Sequence, residues 1–402
     1  MKRREFIQST IALSSLSLFP SWALSQESGP QFLLQFYMDA GWDTTLMTEA
    51  WNFATTPDPK KIFIEYSAND TLKFGNGFVG PTMAPVQKYF PRMTIFNGVM
   101  MSPVEVGHPS PATFAVSGAS DGSEPSYVCQ FMDLYYRNQS ASIIANATVE
   151  TAGRNYKIVT SDNISSISSF TASGTMAAAG KSGIISNSYS TLSKVSMQLN
   201  QIAQEYKTQL SAVTDTNVSN LVKGFLSQVY PAAFIRLSGS LDTHSDHANT
   251  HKKSLVENFQ TIAKYLDALS TIQYKNSGKS LLDLTTVVVS SDFTRTPALN
   301  VSGGKDHNPF SNSMIVMSPK LKPEVIVGRS RLLDPQYSPI GVSVLVGMPL
   351  STQTLQPMMA EKETAMLTPS VIFASLMDAN GKINDASPDV FKKAFKLKGL
   401  YI

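Results

Sequence analysis

Two spacings of apolar residues alternate along the chain. Short runs rich in β-branched and aromatic residues, at 32–37, 93–96, 233–237, 285–289 and 314–317, have the length and composition of buried strands. Between them, 192–230 and 250–272 carry apolar residues three and four positions apart, the spacing of a helix face. Strands alternating with helices predict an α/β fold with a mainly parallel central sheet and helices on both faces. The stretch 160–190 breaks the pattern with Ser, Gly, Ala and Thr and few bulky residues. It is expected to form a loop-rich or helical insertion or cap, within about 156–230. No repeat of fixed period is present, which argues against solenoids and propellers.

Composition narrows the partners more than the fold. The 402 residues carry a formal charge of +3. Lys2, Arg3 and Arg4 against Glu5 account for most of it, so nucleic acid is not an expected partner. Lys392, Lys393, Lys396 and Lys398 read as a solvated helix face. The opening Lys2-Arg3-Arg4-Glu5-Phe6-Ile7, a mildly apolar Ser-rich stretch and the small-x-small site Ala23-Leu24-Ser25 read as a twin-arginine export signal over 1–25. That predicts passage through the twin-arginine translocase and a periplasmic location, with residues 26–402 as one α/β domain. No later run reaches the roughly eighteen apolar residues needed to span a bilayer, so no stable membrane span is expected after cleavage. One cysteine, Cys129, excludes an internal disulfide, and its apolar neighbours suit a buried thiol.

The chemistry concentrates where the strand-like runs end. Of five histidines, His244, His247 and His251 fall within Asp242-Thr243-His244-Ser245-Asp246-His247-Ala248-Asn249-Thr250-His251. Imidazole and carboxylate are common ligands of zinc, iron and manganese, so a metal site leads the readings. The spacing of these histidines is also that of a helix face, and local hydrogen bonding is the alternative. Three further places follow the same logic: Asp39 and Asp43 around Gly41, His108 in a Pro- and Ser-rich helix start, and Asp292 and Arg295 followed by Asp306 and His307. Asp39 or Asp43 could instead cap a turn, and Arg295 could pair with Asp292 or Asp306.

Taken together, the motifs resemble the alkaline phosphatase-like superfamily, in which Asp and His at successive strand ends bind divalent metals. Asp242-Thr243-His244, Ser291-Asp292-Phe293-Thr294-Arg295-Thr296-Pro297 and Asp306-His307-Asn308-Pro309 look like the signatures of the bacterial domain of unknown function 1501 family. The resemblance implies an exported hydrolase of phosphate or related esters, with a small-molecule or polymer ester as substrate. It implies one or two divalent ions (zinc, manganese, calcium or magnesium) on Asp39, Asp43, Asp242, His244, Asp292, Asp306 and His307. His247 and His251 become supporting candidates. His108 stands where sulfatases and phosphodiesterases place their nucleophile, ten residues before Gly118, and could be nucleophile, ligand or acid/base. Arg295 is the candidate anion clamp. Two departures stand out: Ser110 and Thr113 are out of register for a nucleophile, and Phe293 replaces a histidine beside Asp292. The alternative is a periplasmic metal-binding or assembly protein that keeps the fold without turnover.

Overall fold

The structure is a computed structural model describing residues 31–51, 61–102 except 76, 107–119, 199–228, 231–237, 241–359 and 363–402 except 386, with short pieces at 124, 126–128, 130–131, 143–145 and 158–159. The export signal, Cys129 and the Ser-rich stretch 160–190 lie outside the described residues. The chain divides into two compact units. The larger holds Gln35–Tyr127, Arg236–Ala263 and Val287–Ile402; the smaller holds Met1–Leu34, Val128–Ile235 and Lys264–Thr286.

The strands in chain order are β1 (Phe32–Met38), β2 (Leu72–Phe74), β3 (Gly77–Val79), β4 (Met93–Asn97), β5 (Ile143–Ala145), β6 (Ile158–Val159), β7 (Ala232–Leu237), β8 (Thr285–Ser291), β9 (Thr294–Arg295), β10 (His307–Asn308), β11 (Ser313–Met317) and β12 (Val325–Val327). The helices used below are α1 (Pro109–Ser117), α2 (Thr216–Ser227), α3 (His247–Thr271) and α4 (Pro369–Ala379). In the larger unit β12 pairs parallel with β4. There β11 runs antiparallel to both β4 and β8, with Ile315 opposite Ile95 and Val289. In the smaller unit β5 pairs parallel with β6 and β7. This is a mixed α/β chain with a mostly parallel sheet, as the alternation of patterns predicts.

Burial explains why the strands read so clearly. Every residue of β1, β4, β8 and β11 is buried, so these strands are predominantly apolar or β-branched rather than alternating. In the smaller unit, Phe32 stacks on Phe225 of α2 at 4.8 Å and meets Tyr274 edge-on at 5.7 Å. The helical pattern over 192–230 is interrupted by Asp215, which caps α2 by accepting from the Asn217 and Val218 amides. The start of α3 falls at His247, three residues before the periodicity begins. Among the described residues no helix is long and apolar enough to cross a membrane.

Helix α1 matters for the site because His108 stands at its N-cap. Its other end is fixed by Gly118 in the left-handed region at φ 78°, whose carbonyl accepts from the Ser370 hydroxyl of α4 at 2.8 Å. A Cβ at Gly118 would stand 3.1 Å from Phe391 and 3.2 Å from Phe373. Gly118→Ala is therefore expected to cost about 1–2 kcal/mol from the left-handed backbone alone, and somewhat more from packing, read as a lower urea midpoint with an unchanged slope.

Candidate metal centre

All the side chains discussed here belong to the larger unit. After β1 the chain turns through Ala40 and Gly41, both in the left-handed region, and Trp42 bridges to Thr294. Gly41 has no room for a Cβ, which would stand 2.4 Å from the Phe293 ring. Asp43 then caps a short 3-10 turn by accepting from the Thr45 amide. After β8, Asp292 and Phe293 lead into the β9–β10 ribbon, which sets His307 opposite Arg295. Beyond β7, residues 241–244 alternate between buried and exposed, so Asp242 and His244 leave one side and Thr243 the other.

Asp242 Oδ1 is the meeting point of three imidazoles. His244 Nε2 lies 3.1 Å from it, His307 Nε2 3.6 Å and His108 Nε2 3.8 Å. The ligand atoms of His108, Asp242 and His307 lie within 4.8 Å of one another, and His244 Nε2 is 3.0 Å from His307 Nε2. Imidazole nitrogens that close cannot both present lone pairs to each other; a proton or a cation must stand between them. Two of the rings are held from behind by carboxylates. His108 Nδ1 meets buried Asp292 Oδ2 at 2.5 Å, and His244 Nδ1 meets Asp306 Oδ1 at 2.8 Å. A carboxylate that accepts the Nδ1 proton leaves the lone pair on Nε2, the arrangement found behind metal-bound histidines. Asn300 Nδ2 in turn donates to Asp306 Oδ1 at 2.9 Å. The donor chemistry fits a divalent cation.

Charge supports the geometry. The hydrogen bond that His108 Nδ1 donates to Asp292 raises the His108 pKa above the ordinary imidazole value, against burial. Burial would raise Asp242, but the Arg295 hydrogen bond and charge, with His244 and His108, hold it below the usual carboxylate range. Burial is likewise outweighed at Asp306 by hydrogen bonds from His244 and Asn300. Phe293 lies under the cluster, its ring centroid 4.8 Å from that of His108 and 4.5 Å from that of His307.

Beneath this exposed tier lies a buried one. Asp43 and Lys305 are both fully buried and form an ion pair at 2.6 Å, with Lys305 also donating to the Phe63 carbonyl at 3.0 Å. Asp43 Oδ1 accepts from the Thr45 amide and hydroxyl at 2.9 and 2.7 Å. His247 Nε2 lies 3.1 Å from Asp43 Oδ2, and the Asp43 amide donates to His251 Nε2 at 2.9 Å. Burial pushes Asp43 upward, yet Lys305 and His247 hold it well below the usual carboxylate range. Glu65 also borders this tier, its carboxylate Oε1 3.9 Å from His247 Nε2, and burial pushes its pKa up to about 7.

Several expectations change accordingly. Asp39 pairs with Arg236 instead of joining the donors. Asp43 is saturated by Lys305, Thr45 and His247 and serves as a buried anchor. Asp292 and Asp306 each lie behind a histidine, so they orient His108 and His244. Arg295 is fully buried and pairs with Asp242, not with Asp292 or Asp306. Its other contacts are the carbonyls of Gly41 (3.1 Å), Lys305 (3.1 Å) and Ala40, which commits its donors and contradicts the anion clamp. His247 and His251 are buried supports on α3. Lys305 and Thr243 were not expected in the assembly; the alternation of Leu241 and Thr243 with Asp242 and His244 is the sequence signal that could have found Thr243.

A mixed α/β protein with a converging histidine–aspartate donor group is the class that fold and site define. Residues 139–344 match the family described as "Protein of unknown function (DUF1501)", and the chain belongs to that family. It is similar to the C-terminal periplasmic domain of EcEptC from Escherichia coli in complex with Zn, at 12% identity over 96% of each chain, with a TM-score of 0.40. It is also similar to the lipoteichoic acid synthase LtaP from Listeria monocytogenes, at 10% identity over 90% of this chain and 80% of that one, with a TM-score of 0.36. A protein in the alkaline phosphatase superfamily from Vibrio parahaemolyticus gives 11% identity, 86% and 76% coverage and a TM-score of 0.33. No curated protein matches the sequence.

Two measurements follow from this geometry. Lys305→Met leaves Asp43 buried without its cation and should destabilise the protein by about 3–5 kcal/mol in urea unfolding. The contribution of Asp43 is complete above the ordinary carboxylate pKa of about 4 and drains only as pH falls through its lower folded value, so the acid limb of the stability profile should flatten in the variant. Zinc affinity, read by chelator competition, should weaken as pH falls, because His108 Nε2 must be unprotonated to bind. The raised His108 pKa starts that loss above pH ~6.5, and Asp292→Asn should move it downward.

Proposed function

We propose that this chain is an exported, metal-dependent hydrolase of phosphate or related esters. The observation that carries the reading is the donor set: imidazole nitrogens of His108, His244 and His307 facing Asp242 Oδ1, with Asp292 and Asp306 behind two of the rings. A divalent ion held by these four residues would supply Lewis-acid polarisation of an ester oxygen and a water of lowered pKa. The protein's own contributions are positional. Asp292 and Asp306 keep His108 and His244 in the tautomer that leaves Nε2 unprotonated, and Arg295 keeps Asp242 ionised. Phe293 shields one side of the rings from water, while the Asp242, His244 and Asp306 side chains stay nearly half exposed, so a substrate would approach from that side. The twin-arginine motif at Arg3 and Arg4 supports export to the periplasm.

A second reading, a periplasmic metal-binding or assembly protein without turnover, draws support from Arg295 and Lys305. Both are buried and committed to partners, so neither offers a free cation to a substrate anion. Metal analysis of the mature protein, followed by assay with p-nitrophenyl phosphate, bis-p-nitrophenyl phosphate and p-nitrophenyl sulfate, separates the two. The hydrolase reading expects about one metal ion per chain and turnover that drops at least about 100-fold in His108→Ala. Bound metal with no turnover on any of the three esters favours the binding role, and a protein that takes up no metal sinks both.

A further inference from the structure

We infer that Thr243 is the positioning residue of the histidine–aspartate centre: its hydroxyl closes a buried ring of hydrogen bonds that sets Asp242 and His244 side by side. The inference rests on the metal-centre reading above and assigns the machinery that holds the centre together.

The ring can be traced donor by donor. The Asp43 amide can only donate, so His251 Nε2 accepts from it at 2.9 Å and His251 carries its proton on Nδ1. That Nδ1–H donates to Thr243 Oγ1 at 2.9 Å. The Thr243 hydroxyl then has its own proton left for His247 Nδ1 at 2.7 Å. With Nδ1 accepting, His247 is protonated on Nε2, which donates to Asp43 Oδ2 at 3.1 Å and closes the ring on the residue where it began. One direction of donation satisfies every link, and it forces the two histidines into opposite tautomers. Both are fully buried and stacked at 4.3 Å, and burial lowers both pKa values, in keeping with neutral rings.

The backbone of Thr243 is pinned as well. Its amide donates to the Leu241 carbonyl and its carbonyl accepts from the Lys305 amide, each at 3.0 Å. With Thr243 fixed inward, the pleat turns Asp242 and His244 outward on the same side, where their side chains meet at 3.1 Å. The Lys305 contact ties the same residue to the segment bearing Asp306 and His307. A hydroxyl is required at this point because one atom must accept from one histidine and donate to the other. Valine has the shape without the chemistry, and serine the chemistry without the branch.

Full-length mature protein carrying Thr243→Val or Thr243→Ser would test this against wild type, with zinc alone as the probe, at a temperature where all are folded. Thr243→Val should bind zinc about 10–100-fold more weakly and alter the visible spectrum of the cobalt-loaded protein, while Thr243→Ser should stay within a few-fold of wild type. A Val variant that loses thermal stability but keeps wild-type zinc affinity and cobalt spectrum overturns the positioning role and leaves the metal centre standing. A wild type that takes up no zinc overturns the metal-centre reading itself, and this inference with it. Should the Val variant fail to fold, nitrogen-15 imidazole spectra of wild type decide: His247 must be protonated on Nε2 and His251 on Nδ1, both neutral. Any other pair of states breaks the ring.

Discussion

The buried ion pair between Asp43 and Lys305 is the constraint on which the rest of the site depends. Removing two charges from water is costly, and the cost is offset only when geometry is good and the remaining polar atoms are satisfied. Both conditions hold: the pair is 2.6 Å apart, and Thr45, His247 and the Phe63 carbonyl take up the other contacts. Its position gives it reach. Asp43 follows the end of β1, while Lys305 stands two residues before His307, so the pair fastens the loop bearing His307 to the end of a central strand. The same Asp43 closes the ring through His247, Thr243 and His251, which fastens the segment bearing Asp242 and His244. Two loops distant in sequence are thereby referred to one carboxylate.

Arg295 connects this inner tier to the outer one. Its guanidinium gathers the carbonyls of Ala40, Gly41 and Lys305 and reaches Asp242, so a single rigid fork touches the turn after β1, the loop before His307 and the carboxylate at the centre of the histidines. Backbones must pack closely for this to work. Gly304 shows how closely: a Cβ there would stand 1.9 Å from the His244 carbonyl carbon. Any side chain at that position would push the loop away from His244, and with it the contact between His244 and His307.

Strands and donors were legible in the sequence to different degrees, for physical reasons. Fully buried strands such as β1 and β8 declare themselves because nothing in them faces water, and 32–37 and 285–289 were readable almost to their ends. Asp242, His244 and His307 were recognisable from residue type and motif. What the sequence could not separate was carboxylate from carboxylate. Asp43, Asp292 and Asp306 share a chemistry, and only the fold decides that Lys305 neutralises one while histidines occupy the other two. The helix-like spacing of His244, His247 and His251 holds only for the last two, because α3 begins at His247 and leaves His244 on the preceding extended segment. Arg295 beside Asp292 in sequence suggested a local pair. The β9–β10 ribbon carries its guanidinium to Asp242 instead.

The outer tier has an imbalance that the inner tier lacks. Asp43 and Lys305 cancel, and the ring between them is neutral. Around the histidines, half-exposed Asp242 and Asp306 and buried Asp292 stand against the single guanidinium of Arg295, which is itself buried. The residues alone thus carry two more negative charges than positive ones, concentrated around Asp242 Oδ1. Like charges held this close cost stability unless positive partners offset them, and against burial Arg295, His244 and Asn300 hold Asp242 and Asp306 below the usual carboxylate range. Protonation of His108, which Asp292 favours, is one remedy, and it removes the lone pair on Nε2. A divalent cation among the Nε2 atoms is the other; it matches the excess in charge and keeps every lone pair in use. On the metal-centre reading proposed above, proton and cation compete for the same electrostatic need, so Asp292 would both orient His108 for a metal and set the pH below which the metal loses its place.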